Sequence, residues 1–382
     1  MTQPLPADLE ARLDAVIDGA VADQRIVGAV VLVAQDGQNA YCRAAGFADR
    51  EAGQPMTTDT IFRMSSLTKP IVTAATLALV EDGVLGLDDP VTRWLPDFKP
   101  KLAGEAPPIT IRQLLTHTAG LSYGFMQPDD GPYLKLGVSD GMDQPGLGFD
   151  EEFRRVVEAG LFYPPGAAWL YSVSMDVLGA VMERAAGKPL PQIVAERVGK
   201  PLRMMDTGFS VTDPARLAVP YVDGRPPAIM SDPQTVPFFD LSGIRYSPSR
   251  AFDLSSFPSG GAGMVGAPVE FLSFLEAIRT GGGGIVSPDM ARAMMANQTG
   301  ELAIVTNGPG WGFGFGGAVL LDPALAASVH SPGVWLWGGV YGHSWFVDPA
   351  RRLSVVIMTN TAIEGMTGQF SIDVATTVQT PS

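Results

Sequence analysis

The feature that most constrains the fold of this chain is that its strand-forming segments lie near its two ends. Close to the N-terminus, residues 26–37 and 38–49 have the composition of two strands, and Asp36-Gly37 between them is a typical hairpin turn. Close to the C-terminus, β-branched and aromatic residues predict a meander of three antiparallel strands. These three segments are 311–322, 333–348 and 352–360.

Helical patterns occupy much of the rest of the chain. The predicted helices are 7–22, the segment that contains Lys69, 109–121, 150–160, 174–187, 190–199, 269–281, 288–298 and 369–379. The segment 126–148 is rich in Pro, Gly and Asp and predicts a loop, and 203–258 shows no clear period.

We therefore expect an α+β fold in which N- and C-terminal segments build one antiparallel sheet flanked by helices. The predicted α/β domain is discontinuous and comprises residues 1–90 and 260–382. A mostly helical domain is inserted at 91–259. The cleft between the two domains is the natural place for an active site.

The composition excludes several classes of protein. The chain has 382 residues, of which 46% are hydrophobic and 17% charged, as expected of a globular protein. Its net charge of −14 and the lack of a basic cluster argue against nucleic-acid binding. The longest apolar stretches, IVGAVVLVA and IVTAATLALV, are far shorter than the roughly 20 residues of a membrane-spanning helix.

Cysteine and histidine usage argues against a metal site. Cys42 is the only cysteine, and the histidines His117, His330 and His343 are scattered, so we expect no metal and no other cofactor. The N-terminus has neither the basic nor the apolar region of a signal peptide, which predicts a cytoplasmic protein. The sequence gives no indication of the oligomeric state.

Ser66 and Lys69 form the first candidate catalytic pair. They are three residues apart in FRMSSLTKPIV, and side chains at this spacing lie on one face of a helix. Pro70 is tolerated in the first turn of a helix, so the helix begins near Ser66 and its unpaired N–H groups can stabilise an oxyanion there. Burial and the helix dipole both lower the pKa of a lysine at this position, so Lys69 can accept the proton of Ser66.

Other interpretations of this segment stay open. It can be an ordinary helix start, with a capping serine and a surface lysine. Ser65 is the rival nucleophile, but the residue three positions after it is Thr68, which cannot act as a base. Tyr171, just before the predicted helix 174–187, can relay a proton to a leaving group if it lies near Lys69, although a tyrosine there is more often a packing residue.

Five motifs together resemble the serine β-lactamase/penicillin-binding-protein superfamily. They are Ser66-Leu67-Thr68-Lys69, LLTHTAGL, Tyr171-Ser172-Val173, PSGGAGMVG and WGGVYGHSWFVDP. More narrowly, nearly the whole chain resembles the family VIII carboxylesterases, relatives of class C β-lactamases. The resemblance implies a β-lactamase/transpeptidase-like fold and a catalytic group of Ser66, Lys69 and Tyr171.

The resemblance also implies the rest of the site. The backbone N–H groups of Ser66 and Val340 would form the oxyanion hole. The substrate-binding residues implied in this way are Tyr123, Phe125, Met142, Asp176, Trp337, Gly338, Gly339 and His343. For each of them a role in ordinary packing is the alternative.

Two departures from the family pattern favour an esterase over a β-lactamase. Relatives that act on β-lactams or peptides carry Tyr-x-Asn where this chain has Val173, and Lys-Thr-Gly where it has Trp337-Gly338-Gly339. The missing amide and ammonium would hold the amide and carboxylate of such substrates. We therefore expect a serine carboxylesterase that hydrolyses short-chain esters. The alternatives are a β-lactamase or D-amino peptidase with weak β-lactam hydrolysis and, from another class, a catalytically inactive binding module.

A competing motif, GVSDG at 137–141, matches the GxSxG nucleophile elbow of α/β-hydrolases. That elbow requires a strand before the serine and a helix after it, whereas both flanks here look like loop. His330 and His343 could be offered as partners in a triad. Because the resemblance puts the nucleophile in the first motif, we expect Ser66 and not Ser139.

Overall fold

A computed structural model describes residues 5–380, so the first four and last two residues of the predicted α/β domain lie outside it. The helices are α1 (Leu9–Ala22), α2 (Thr68–Glu81), α3 (Ile111–Leu115), α4 (Pro132–Leu136), α5 (Phe149–Ala159), α6 (Ser174–Ala186), α7 (Leu190–Val194), α8 (Pro268–Arg279), α9 (Pro288–Met294) and α10 (Gln369–Gln379).

The described strands fall into one large sheet and three small ribbons. They are β1 (Gly28–Gln35), β2 (Gln38–Asp49), β3 (Gln54–Pro55), β4 (Phe62–Arg63), β5 (Tyr221–Val222), β6 (Ala228–Ile229), β7 (Gln234–Val236), β8 (Ile244–Tyr246), β9 (Val265–Gly266), β10 (Trp311–Phe313), β11 (Ala318–Leu320), β12 (Trp335–Gly339), β13 (His343–Asp348) and β14 (Leu353–Thr359).

The large sheet joins the two ends of the chain, as predicted. Its strand order is β10-β11-β12-β13-β14-β1-β2-β3, and β1 pairs antiparallel with β14 in a register that sets Ala29 opposite Thr359. The predicted hairpin is confirmed, because β1 and β2 pair across Asp36 and Gly37, which both have positive φ. A turn of this kind matches the right-handed twist of the strands.

The sheet separates two apolar cores. Its front face packs against α8, and the core on this side, which includes Leu67, Val181 and Trp345, extends to α2 and α6. Its rear face is covered by α1 and α10, in a core that includes Leu13 and Phe370. Helices α3–α7 and the ribbons β5–β6 and β7–β8 lie in the segment 91–259. The limits of the two domains stay a prediction.

Three predictions about individual segments were wrong. The C-terminal meander has five strands and not three, because 311–322 and 333–348 each fold back at a turn, and Gly316 and Gly342 in these turns have φ of 87° and 110°. The predicted loop 126–148 contains α4. The helix predicted at 109–121 ends at Leu115, and His117 beyond it has a positive φ that a helix does not allow.

Candidate active site

Ser66 and Lys69 lie where a short 3-10 helix, Ser65–Leu67, leads into α2. The Nζ atom of Lys69 is 3.0 Å from the Oγ atom of Ser66. Lys69 is completely buried, whereas 8% of Ser66 remains accessible. The hydroxyl of Ser65 accepts a hydrogen bond from the Tyr341 N–H, so this rival serine is turned towards β12–β13 and not towards Lys69. The spacing of the motif therefore brings the two predicted side chains together.

Tyr171 joins this pair from the segment before α6. Its hydroxyl is 2.6 Å from Ser66 Oγ, and the indole Nε1 of Trp337 is 3.0 Å from the same tyrosine oxygen. An indole N–H can only donate, so the oxygen of Tyr171 accepts from Trp337 and its proton is free to point at Ser66. Lys69 Nζ donates to Ser66 Oγ at 3.0 Å and to the Gly261 carbonyl at 2.8 Å. When Lys69 is unprotonated, its nitrogen can instead accept the proton of Ser66. The Ser66 oxygen therefore lies between a phenol and an amine that can both exchange a proton with it.

Burial sets the protonation states of this group. Desolvation lowers the pKa of Lys69 to about 7, and the nearby carboxylate of Asp176 opposes part of that shift. Desolvation also raises the pKa of Tyr171, although its hydrogen bonds with Ser66 and Trp337 act in the opposite direction. Near neutral pH a large share of Lys69 is therefore an unprotonated base, while Tyr171 is a neutral phenol that can donate a proton.

The end of β12 closes against the start of α2. A Cβ atom on Gly339 would lie 2.7 Å from the Met64 carbonyl oxygen and 2.6 Å from Ser65 Oγ, so only glycine allows this approach. The approach carries the next residue, Val340, to the cavity that Ser66 also lines. The Val340 carbonyl accepts a hydrogen bond of 2.8 Å from the Tyr246 hydroxyl, which holds this turn in place.

Ser66 opens into a cavity of about 590 Å³. Of the residues predicted to bind substrate, it is lined by Phe125, Trp337 and Gly338. None of the residues that line this cavity in the described part of the chain is Asp, Glu, Lys or Arg. His330 lines it too, and burial lowers the pKa of this histidine to about 4, so it is uncharged at neutral pH. The cavity therefore suits an uncharged, largely apolar ligand.

The structure does not place five of the predicted substrate-binding residues along this cavity. Gly339 makes the close approach to Met64 that is described above. Tyr123 lies behind the wall, stacked on Phe125 with ring centroids 4.8 Å apart, and its ring centroid is 5.2 Å from Lys69 Nζ. The side chain of Asp176 is buried and accepts hydrogen bonds from Ser259 Oγ at 2.5 Å and from the Gly261 N–H at 3.1 Å. Asp176 therefore holds the loop whose Gly261 carbonyl contacts Lys69.

The other two residues lie farther round the fold. Met142 lines a separate cavity of about 260 Å³ together with Arg250. His343 is buried, and its Nε2–H donates to the Arg63 carbonyl at 2.9 Å. Ser344, next to His343, lines the cavity that contains Ser66, but neither Met142 nor His343 does.

Several residues of the site were missed by the sequence analysis. Phe238 and Phe239 line the cavity from a segment without a clear period, and Gly261 supplies the carbonyl partner of Lys69. The motif PSGGAG was noticed, and its close packing explains its glycines, since a Cβ atom on Gly260 would lie 2.4 Å from the Met175 carbonyl oxygen. Nothing in the local pattern around residue 238 could have indicated its position.

The competing GxSxG serine is not in a nucleophile elbow. Ser139 is completely buried, and its hydroxyl donates to Asp143 Oδ1 at 2.5 Å. It follows α4 and not a strand. Ser139 does not line the cavity that contains Ser66, and neither His330 nor His343 is hydrogen-bonded to it.

Two kinds of feature are absent from residues 5–380. Within that range there is no group of three or more His, Cys, Asp and Glu side chains arranged to hold a metal ion. None of the helices described there is both long and apolar enough to cross a membrane.

Comparisons with known proteins agree with the fold. Residues 13–373 match the Beta-lactamase family. Esterase EstB of Burkholderia gladioli is 51% identical over 370 residues, which cover 96% of this chain and 94% of that protein. Lovastatin esterase of Penicillium rubens is 27% identical over 89% of this chain and 90% of that protein.

Solved structures of similar proteins have the same fold. EstCE1, described as a hydrolase with promiscuous acyltransferase activity, superposes with a TM-score of 0.92 at 46% identity and covers 98% of this chain and 99% of that chain. A penicillin-binding protein homologue from Pyrococcus abyssi shares the fold. It superposes with a TM-score of 0.70 at 20% identity and covers 96% of this chain and 76% of that chain. The predicted α+β, β-lactamase/transpeptidase-like fold is confirmed, and the chain belongs to the Beta-lactamase family.

Proposed function

We propose that this protein is a serine carboxylesterase of the family VIII type, which hydrolyses short-chain esters through an acyl-enzyme on Ser66. The observation that carries the proposal is that Ser66 Oγ is hydrogen-bonded to both Tyr171 and Lys69, while Tyr171 accepts a hydrogen bond from Trp337. Lys69 is buried and its pKa is lowered to about 7, so its unprotonated amine can accept the serine proton. The esterase relative that is 51% identical over nearly the whole chain supports the same chemistry.

In acylation, the Oγ atom of Ser66 attacks the ester carbonyl carbon while its proton passes to Lys69 Nζ. The resulting oxyanion accepts hydrogen bonds from the backbone N–H groups of Ser66 and Val340. The bond to the alcohol oxygen then breaks, and Tyr171 protonates the departing alkoxide. The proton held by Lys69 restores the Tyr171 phenol, so the acyl-enzyme forms with no net gain or loss of protons.

In deacylation, a water molecule takes the place of the alcohol. It gives a proton to Lys69 by way of Tyr171 and attacks the acyl carbon, and the same two N–H groups hold the oxyanion. The bond between the acyl group and Ser66 then breaks, and Lys69 returns the proton to the serine. The raised pKa of Tyr171 supports Lys69 as the base, because a neutral phenol at this position is a donor. The two groups still titrate as a pair.

The walls of the cavity favour a neutral ester over a β-lactam. Trp337 replaces the lysine of the Lys-Thr-Gly motif. Val173 replaces the asparagine of the Tyr-x-Asn motif and is almost completely buried. A β-lactam carboxylate that entered this uncharged cavity would lose its hydration without gaining a cationic partner, which is unfavourable. The alternative of a β-lactamase or D-amino peptidase is therefore not favoured.

Covalent labelling tests the assignment of the nucleophile. The intact mass of the protein is measured after exposure to a fluorophosphonate, and p-nitrophenyl butyrate hydrolysis is measured in parallel. Ser66→Ala is expected to remove both the adduct and the hydrolysis, whereas Ser139→Ala, the matched serine control, is expected to keep both. Labelling of Ser139, or most of the activity surviving in Ser66→Ala, would show that the assignment is wrong. An inactive binding module would gain no adduct at all.

A second measurement separates the two enzyme classes. Turnover of nitrocefin is compared with turnover of p-nitrophenyl butyrate under the same conditions. We expect kcat/KM for the ester to exceed that for the β-lactam by at least about a hundredfold, because only the ester lacks an unpaired charge. Comparable values would favour the β-lactamase alternative.

Acyl transfer to an alcohol is a second candidate function. EstCE1, at 46% identity, is described as having promiscuous acyltransferase activity. The apolar cavity beside Ser66 can hold an alcohol that competes with water for the acyl-enzyme. Ester product formed from p-nitrophenyl butyrate and hexanol in water would support this function, and butyrate as the only product would contradict it.

A further inference from the structure

The cavity at Ser66 continues to the opposite face of the large sheet. Its front lobe contains Ser66, Phe125, Tyr171, Trp337 and Phe238. Its rear lobe, as we call the part on the other face, is formed by the rear core and α10. The apolar residues of the rear lobe are Leu336, Phe346, Ile357, Ile372 and Ala375. The alternation of side chains along β12 explains the division, because Trp337 faces the front core and its neighbour Leu336 reaches the rear core.

The two lobes meet at an open edge of β12. Strand β11 pairs with β12 only at Trp335 and Leu336, so among the described strands none flanks the edge at Gly338. Gly338 and Met366 both line the cavity at this edge, and Met366 packs closely against Gly338, because a Cβ atom on Gly338 would lie only 2.7 Å from Met366 Cγ. Trp311 and Leu336 pack against both apolar cores, as residues at the edge of a sheet do when a groove passes round it.

The rear lobe is uncharged and largely apolar. Its apolar residues are Leu, Phe, Ile, Ile and Ala, and Ile372 is 50% exposed. Ser371 of α10 and His330, whose ring centroid is 4.6 Å from that of Phe346, also line the cavity on this side and carry no charge at neutral pH. A partly exposed apolar surface that continues an active-site cavity is suited to bury an uncharged chain. A charged ligand would lose its hydration there without compensation.

We propose that the rear lobe binds the alcohol part of the ester and accepts an extended alkyl or aryl chain; this rests on the proposed esterase function. The direction follows from Tyr171, which protonates the departing alcohol and therefore lies on the alcohol side of the scissile bond. Trp337 is hydrogen-bonded to the same Tyr171 hydroxyl, and its two neighbours along β12, Leu336 of the rear lobe and Gly338, line the same cavity. The acyl chain then lies in the front lobe beside Phe125 and Phe238.

The test varies the length of the two parts of the ester separately. In one series, the butyrate esters of ethanol, butanol, hexanol and octanol are hydrolysed and the released acid is titrated. In the other series, p-nitrophenyl esters of acetic to decanoic acid are hydrolysed. For the natural chain, kcat/KM is expected to rise by up to about fourfold for each methylene of the alcohol that enters the rear lobe.

Ile372→Trp narrows the rear lobe at a half-exposed position, so the core of the protein is not disturbed. It is expected to lower the ratio of kcat/KM for octyl butyrate to that for ethyl butyrate by about tenfold or more. The ratio of decanoate to acetate in the p-nitrophenyl series is expected to stay within about twofold of that of the natural chain. The matched control is Ile229→Trp, because Ile229 on β6 is 49% exposed and lies outside the cavity. This control is expected to leave both ratios unchanged.

Each other outcome overturns the proposal in a distinguishable way. If Ile372→Trp changes the acyl series and not the alcohol series, the rear lobe binds the acyl chain. If ethyl butyrate is hydrolysed but neither series responds to Ile372→Trp, the rear lobe binds no part of the substrate and the esterase function stands. If the natural chain hydrolyses no ester in either series, the proposed function fails and this inference fails with it.

Discussion

Replacing Trp337 by Phe removes one hydrogen-bond donor and leaves an aromatic ring in the wall. The lost donor is the indole N–H, which is 3.0 Å from the Tyr171 hydroxyl. The remaining ring still packs against Phe313, whose ring centroid is 5.3 Å away at a right angle in the natural chain. Without this donor, the Tyr171 proton is no longer held towards Ser66, and one of the two hydrogen bonds that lower the Tyr171 pKa is lost. Tyr171 becomes a weaker and less well oriented acid.

The magnitude follows from the energy of a single neutral hydrogen bond. Such a bond contributes about 0.5–1.5 kcal/mol, which corresponds to about 2- to 13-fold in rate. The full effect is expected only where the departing group needs a proton. An alkoxide needs one, whereas p-nitrophenolate is stable enough to leave without it. We therefore expect Trp337→Phe to lower kcat/KM for ethyl butyrate by about tenfold, and for p-nitrophenyl butyrate by no more than about twofold.

The assay is steady-state hydrolysis of the two esters, with Trp169→Phe as the matched control. The Trp169 ring stacks on Tyr171 with centroids 6.3 Å apart, but its indole N–H has no hydrogen-bond partner among residues 5–380. Its replacement changes the packing around Tyr171 without removing a donor, so it is expected to affect the two esters equally. If Trp337→Phe lowers kcat/KM equally for both esters, or if the two variants behave identically, Trp337 does not orient the proton of Tyr171 by donating to its hydroxyl, and the reasoning is refuted.

Three other predictions follow from the structure. The kcat/KM for p-nitrophenyl butyrate should fall about tenfold per pH unit below about 7 and level off above it, because Lys69 must be unprotonated in the free enzyme; a profile that stays flat down to pH 5 would exclude Lys69 as the base. Gly339→Ala should lower kcat/KM by about a hundredfold with an unchanged circular dichroism spectrum, since its Cβ atom would collide with the Met64 carbonyl and displace β12; full activity would show that this close approach is not required. Ser139→Ala should lower the free energy of unfolding in urea by about 1–3 kcal/mol, because it leaves a buried Asp143 oxygen without its donor; a loss of activity without a loss of stability would contradict a structural role.

The sequence by itself determined the parts of this protein that depend on local spacing. A serine and a lysine three residues apart, followed by a proline, lie on one face of the first helical turn, and the structure brings Ser66 and Lys69 to 3.0 Å. Asp36-Gly37 fixed the register of the first hairpin because its backbone needs positive φ. Strand composition at the two ends was sufficient to predict one shared sheet, since an antiparallel edge strand must find a partner.

The number of C-terminal strands could not be read so directly. The residues of 311–322 and 333–348 have strand composition throughout, but each segment contains a turn at a glycine. Composition alone does not distinguish a glycine in a turn from a glycine inside a strand. The same ambiguity affects Met142 and His343. Met142 lines a different cavity, and His343 lies next to Ser344, which does line the cavity at Ser66. Which side chains reach Ser66 depends on backbone turns that only the folded chain defines.

Only the tertiary structure decided what surrounds the reactive pair. Tyr171 lies 105 residues from Ser66, Trp337 lies 166 residues from Tyr171, and Gly261 lies 192 residues from Lys69. No spacing along the chain encodes these contacts, because they arise where α2, the loop before α6 and the edge of β12 pack together. Burial in that packing is also what lowers the pKa of Lys69, so its function as a base belongs to the fold and not to the motif.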